Sequence, residues 1–216
     1  MHSSSTVRTL QQRITQMQPL RLDDSTLPTA PGLRSLFPGG ALRKGASYSV
    51  QGSAQLALSM LAASSASGAW CGIIGYPTLG AETAAALGIA LERCILIPEP
   101  GADAFGLCGA LSEILTVLLL APTNSPRHGD VARIAARLRE HGAALVVTHE
   151  WPNSESTFRV TASRWSGLGD GFGALEDREI TVQAQDRRGL TSHTVRFAHG
   201  SLVDPGLAKL HRLVPQ

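Results

Sequence analysis

From residue 46 to residue 149 the chain alternates short apolar runs with helical stretches, and no other feature constrains its fold as tightly. The runs "ASYSV" (46–50), "WCGII" (70–74), "CILIP" (94–98), "LTVLLLA" (115–121) and "ALVVTH" (144–149) read as strands. Between them, "QLALSMLAASSA" (55–66), "GAETAAALG" (80–88) and "AFGLCGALSEI" (104–114) read as helices. A fourth helix is capped by Asp130, carries Val131, Ile134, Ala135 and Leu138 on one face, and is ended by Gly142. Strands joined through helices run parallel, because the crossover returns the chain to the same end of the sheet. "LTVLLLA" shows no polar alternation and is therefore buried on both faces. The expected class is α/β, with a doubly wound, mainly parallel sheet.

After residue 156 the period changes. Phe158, Val160 and Ala162 alternate with polar residues, as do Ile180, Val182 and Ala184, and then His193, Val195 and Phe197. These read as antiparallel strands that extend the sheet, the first two connected by "SGLGDGFG" (166–173), with a short helical tail, "GLAKLHRLV", after them. At the other end, "VRTLQQRITQM" carries Val7, Leu10, Ile14 and Met17 at helical spacing. Residues 18–40 hold four prolines and three glycines and read as an extended linker. The organisation expected is an amphipathic helix and linker over 1–40 and a core domain over 41–216. The helix docks either on its own domain or on a neighbouring molecule.

Composition narrows the function class. The chain has 216 residues, 43% of them hydrophobic and 17% charged, enough for one sizeable core. No apolar run approaches the roughly 18 residues of a membrane span. "MHSSSTVRTLQQRITQ" lacks the apolar centre of a secretory signal. Cys71, Cys94 and Cys108 show no metal-ligand spacing and read as buried thiols, which suits a reducing cytoplasm. Net charge is only +2, and the nearest approach to a basic patch is "RIAARLRE" (133–140) with Arg187-Arg188. DNA binding is therefore expected to be weak and sequence-independent at most, on the order of 10⁻⁴–10⁻⁶ M.

The stretch "SYSVQGSAQLALSML" (47–61) has the outline of a phosphate-binding loop: strand, glycine, helix. Such a loop needs a lysine to neutralise phosphate and a hydroxyl to hold magnesium, and Ala57-Leu58-Ser59 stands at that spacing. The acidic residue that reaches magnesium is replaced by Ala121-Pro122, and the base for water by Tyr76-Pro77. The three absences argue together against nucleotide hydrolysis, and no metal or cofactor is expected. "SGLGDGFG" lies between antiparallel strands, so it is a hairpin loop rather than a dinucleotide fingerprint. His149-Glu150 reads as an exposed polar strand end, with ligand contact as the alternative. Trp165 is either core or hairpin packing or a protein-contact anchor.

Over residues 40–150 the outline resembles RecA. "GALRKGASYSVQG" is similar to the strand entering RecA's phosphate loop, and "WCGIIGYPTLGAETAAALGIALERCILIPEP" to its second strand, helix and third strand. More closely, "LPTAPGLRSLFPGGALRKG", "GIIGYPTLGAETAAALGI", "RCILIPEPG" and "RWSGLGDGFG" resemble the short actinobacterial RecA-like proteins grouped with ImuA. The resemblance implies a RecA-like fold with an N-terminal arm, and a role in damage-induced mutagenesis. Its implied partner is an ImuB-like inactive relative of lesion-bypass polymerases, and through it an error-prone replicative-type polymerase and the sliding clamp. RecA's lysine, magnesium aspartate and catalytic glutamate have no counterpart here, and Glu150 stands where RecA has a γ-phosphate-sensing glutamine.

The function expected is a non-catalytic RecA-fold adaptor in translesion synthesis, with Val7, Leu10, Ile14, Met17 and Trp165 as partner-binding residues and self-association possible through the arm. A DNA-stimulated ATPase and a SulA-like inhibitor of cell division are the alternatives.

Overall fold

The computed structural model describes residues 25–167 and 176–204. Eleven strands are described. They are β1 (Thr26–Leu27), β2 (Leu42–Arg43), β3 (Ser47–Gln51), β4 (Cys71–Ile74), β5 (Cys94–Ile97), β6 (Val117–Leu120), β7 (Ala144–Val147), β8 (Ser156–Ser166), β9 (Asp177–Asp186), β10 (Gly189–Ala198) and β11 (Ser201–Leu202). The α-helices are α1 (Ala54–Ala66), α2 (Ala81–Ala86), α3 (Ala104–Leu111) and α4 (His128–His141). Nine strands form one sheet in the order β11-β10-β9-β8-β3-β7-β6-β4-β5, and β1 and β2 form a separate antiparallel pair.

The sheet is parallel from β5 to β8 and antiparallel from β8 to β11. Two apolar layers cover its faces. Val117, Leu119, Ala144 and Val146 share one layer with Leu56, Leu58 and Leu61 of α1. Leu118, Leu120, Leu145 and Val147 share the other with Ile134 and Leu138 of α4 and Cys108 of α3. Every residue of β6 is fully buried, as a strand covered on both faces requires. No helix among the described residues is long and apolar enough to cross a membrane.

Three local expectations are corrected. Asp130 does not cap α4 as its first flanking residue. It lies one turn inside, and its carboxylate accepts from the Arg127 amide at 3.3 Å, while Gly142 ends the helix at φ 67° as expected. β8 is not purely antiparallel: Ser156–Arg159 pair in parallel with β3, and only the partnership with β9 is antiparallel. The alternation Phe158, Val160, Ala162 breaks at a bulge between Val160 and Ala162, and Ala162 is exposed.

The largest correction concerns the proline- and glycine-rich stretch. From residue 25 onward it is folded into the core rather than extended as a linker. Leu27, Leu33, Leu36 and Phe37 are all buried in the main apolar layer, the last three on or next to a 3₁₀ turn over Pro31–Leu36. Phe37 meets Tyr48 edge-on at 5.5 Å between ring centres and Phe158 at 5.4 Å. The Leu42 amide donates to Thr29 Oγ1 at 2.9 Å, and Ser64 Oγ on α1 donates to the Pro28 carbonyl at 3.1 Å. Proline fixes φ without forbidding burial, so composition alone could not separate a linker from a pinned strap.

That strap is a stability element. Phe37→Ala is expected to cost about 3–5 kcal/mol, the range for removing a buried aromatic ring. Chemical denaturation would check it, since a residue on a free linker changes stability by less than about 0.5 kcal/mol.

Candidate functional site

In a sheet of this kind, ligands bind beyond the carboxyl ends of the parallel strands, where neighbouring crossovers leave in different directions. Here β3 hands the chain to α1, which carries it past β7 and β6 to β4. The ends of β3, β4, β6 and β7 enclose a cleft of about 560 Å³. Its walls are Gly52-Ser53, Tyr76-Pro77, Pro122-Thr123 and Thr148-His149.

The connection from β3 to α1 is two residues long, Gly52 and Ser53. Gly52 has φ 86°, the left-handed conformation that glycine adopts without strain, and this turns the strand straight into the helix. Ser53 caps the helix, its Oγ accepting from the Leu56 amide at 3.2 Å. Two residues leave no length of backbone to wrap around a phosphate. At the spacing where a lysine would stand, Ala57 and Leu58 are 0% and 2% exposed and belong to the main core. A lysine there would carry its charge into an apolar layer rather than to the cleft.

The rest of the lining lacks a permanently charged side chain. Among the described residues around the cleft there is no Asp, Glu, Lys or Arg. Tyr76 is half-buried, Pro77 exposed and Pro122 buried. His149 is exposed, with Nδ1 3.3 Å from Thr148 Oγ1, and its carbonyl accepts from the buried Ser49 hydroxyl at 2.6 Å. Glu150 is exposed beside it and is not part of the wall. The lining hydroxyls and imidazole can hydrogen-bond a neutral ligand or a partner's backbone, and the hydroxyls supply no counter-charge to a polyphosphate.

Burial separates the three thiols by reactivity. Burial pushes Cys71 up to about 11 and Cys108 up to about 12, and raises Cys94, which is half-buried. No group of metal-ligating side chains occurs among the described residues.

Of the residues expected to contact a partner, Val7, Leu10, Ile14 and Met17 lie outside the described residues, as do most of "SGLGDGFG" and the tail. Trp165 is described. It is not core packing: it is 48% exposed, on the part of β8 that runs past the end of β3 and pairs only with β9. The Arg178 guanidinium stacks 5.1 Å from its ring centre. Arg178 also donates to Ser163 Oγ at 3.0 Å and to Gln55 Oε1 at 3.1 Å, tying the hairpin to the first turn of α1. Burial pulls the Arg178 guanidinium below its ordinary value. The sequence signal for Arg178 was its place two residues before Ile180, in the row that faces the core, where a charged residue needs a partner.

Residues 35–153 match the family model described as the MT3502 N-terminal domain. The chain is also 32% identical over 116 residues to the uncharacterized protein Rv3395c of Mycobacterium tuberculosis. The matched stretch covers 52% of this chain and 57% of that protein, so the chain spans little more than half of its relative's length.

The thiol environments generate a prediction. With iodoacetamide at about pH 8, where an ordinary thiol is already reactive, Cys94 is alkylated first and Cys71 and Cys108 only on unfolding. Peptide mass spectrometry reads the order; equal rates at all three would contradict the burial described.

Proposed function

We propose, for a chain that belongs to the family of the MT3502 N-terminal domain, that it is an adaptor: a RecA-like sheet scaffold without phosphate chemistry, acting by protein contact in damage-induced mutagenesis. The single observation that carries the non-catalytic part is the two-residue connection between β3 and α1. A loop that holds a triphosphate presents several backbone amides, a lysine and a hydroxyl to it. Here the same place offers a capped helix end, and among the described residues no permanently charged side chain lines the cleft around it. The lesion-bypass setting rests on the resemblance of the sequence motifs to the ImuA group. On that reading the partner is an ImuB-like inactive polymerase relative, with the error-prone polymerase and clamp reached through it.

Trp165 supports a contact role, because an exposed tryptophan stacked with arginine is the composition that dominates interface energetics. The amphipathic arm is the second contact proposed. An eleven-residue helix is marginal alone in water, so Val7, Leu10, Ile14 and Met17 call for an apolar groove.

Two measurements test the reading. Calorimetry with Mg-ATP is expected to give no binding heat; a dissociation constant near 1 μM, about −8 kcal/mol, would overturn the pseudo-ATPase assignment. In the second, the double variant Leu10→Asp, Ile14→Asp is expected to abolish co-purification with the ImuB-like protein and to leave the melting temperature nearly unchanged. A large loss of melting temperature would instead mean that the arm packs on its own domain.

A further inference from the structure

The amino end of β3 borders a second concavity, which the adaptor reading does not use. It is a groove of about 650 Å³ between the β2–β3 turn, α4, the crossover from β7 to β8 and the β9–β10 turn. Among the described residues, Arg43, Lys44, Arg139 and Arg187 line it, against one carboxylate, Glu155. Arg43 and Glu155 neutralise each other at 2.9 Å. Among the described residues, Lys44, Arg139 and Arg187 have no carboxylate within ion-pair distance.

Backbone packing brings the segments that carry two of these cations together. Gly45 has φ 77°, and its amide donates to the Ala143 carbonyl at 2.8 Å. A Cβ on Gly45 would stand 3.1 Å from Arg139 Cα, so the turn rests directly on the last turn of α4. The Lys44 stem lies over the helix end, its Cδ 3.6 Å from where a Cβ on Gly142 would be. A helix C-terminus does favour a cation, but it is equivalent to only about half an elementary charge. Lys44, Arg139 and Arg187 together carry more positive charge than that, and among the described residues no carboxylate pairs with them. Such a cluster fits a counter-charge that arrives with a ligand.

Shape and lining narrow the ligand. A DNA duplex lies along a surface and does not enter a concavity of this size. Proteins that hold single strands without sequence preference stack the bases on aromatic side chains, and among the described residues no aromatic side chain lines this groove. Its floor is Ala132 and Ala135 of α4, small and apolar, beside Leu138, which is itself buried in the core, and this suits short aliphatic side chains interspersed with acidic ones. We propose that this groove binds an acidic peptide segment of a partner protein, its carboxylates meeting Lys44, Arg139 and Arg187 and its aliphatic side chains resting on the α4 floor. The groove lies at the opposite end of β3 from the cleft, so the proposal stands whether or not the cleft binds nucleotide.

Fluorescence anisotropy with the full chain tests it, using a labelled octapeptide of alternating Glu and Ala, the same peptide with Gln for Glu, and an oligothymidylate of equal length. The Glu peptide is expected to bind, more weakly as salt rises, and the Gln peptide not to bind. Lys44→Glu with Arg139→Glu is expected to lower affinity at least about tenfold. Arg187→Glu, in an exposed turn, is expected to lower it too and decides the matter if the double variant does not fold. Arg133→Glu, on α4 outside the groove, controls for net charge and is expected to change affinity by less than about twofold. Equal binding of the Gln peptide, tighter binding of the oligothymidylate, no binding of the Glu peptide, or an equal loss with Arg133→Glu would each overturn the proposal.

Discussion

Val117, Leu118, Leu119 and Leu120 are all fully buried, and they alternate between two separate apolar layers. Each layer is completed by helices that only a crossover connection can deliver, α1 on one face and α3 and α4 on the other. Burying a leucine side chain is worth about 1.5–3 kcal/mol, so a helix lost from either face would expose several such side chains at once. Parallel pairing, helices on both faces, and loops gathered at the two ends of the strands all depend on that double burial. The cleft and the basic groove lie at the two ends of β3 within this one arrangement.

β3 is where the arrangement departs from a plain alternation. The chain leaves β7 and steps over β3 to begin β8 without a helix, in residues 148–155. Ser49 is small enough to let that chain lie close, and its hydroxyl donates to the His149 carbonyl at 2.6 Å. The Glu155 amide donates to the Ser47 carbonyl at 2.8 Å, and Trp151 fills the layer beside Phe105 at 6.0 Å between ring centres. The opposite face of β3, Tyr48 and Val50, belongs to the main core, where the Arg43 amide donates to the Tyr48 hydroxyl at 2.7 Å. Serines on one face and apolar residues on the other are thus a record of backbone crossing one side of the strand. The same crossover brings Glu155 to Arg43 and so forms one wall of the groove.

Much of the cleft was legible in the sequence. Gly52 followed at once by an apolar helix implied a short connection, and Ala57-Leu58, Tyr76-Pro77 and Ala121-Pro122 implied that no charge lines it. That Ala57 and Leu58 face the core was not legible, because α1 is apolar nearly all round and its periodicity does not single out one face. The basic groove was legible only in part: "RIAARLRE", which holds Arg139, and Arg187-Arg188 stood out as the nearest approach to a basic patch, but nothing joined them to Arg43 and Lys44. Arg43 and Lys44, Arg139, and Arg187 are far apart in the chain, and they meet only because Gly45 packs on the end of α4 and the β9–β10 turn folds back beside it.

Local periodicity determined the strands between 46 and 149, the helices between them, the double burial of β6 and the change of pattern after 156, because each depends on residues within one turn or one strand. Tertiary structure decided the rest. It made β8 parallel to β3 and antiparallel to β9, since a strand's direction depends on where its neighbour lies and not on its own alternation. It turned residues 25–40 from an apparent linker into a strap, since a proline-rich segment is extended or packed according to whether an apolar surface is there to receive Leu33, Leu36 and Phe37. It placed Trp165 on an exposed hairpin under Arg178, since the bulge at Val160 and the end of β3 carry that part of β8 beyond the core.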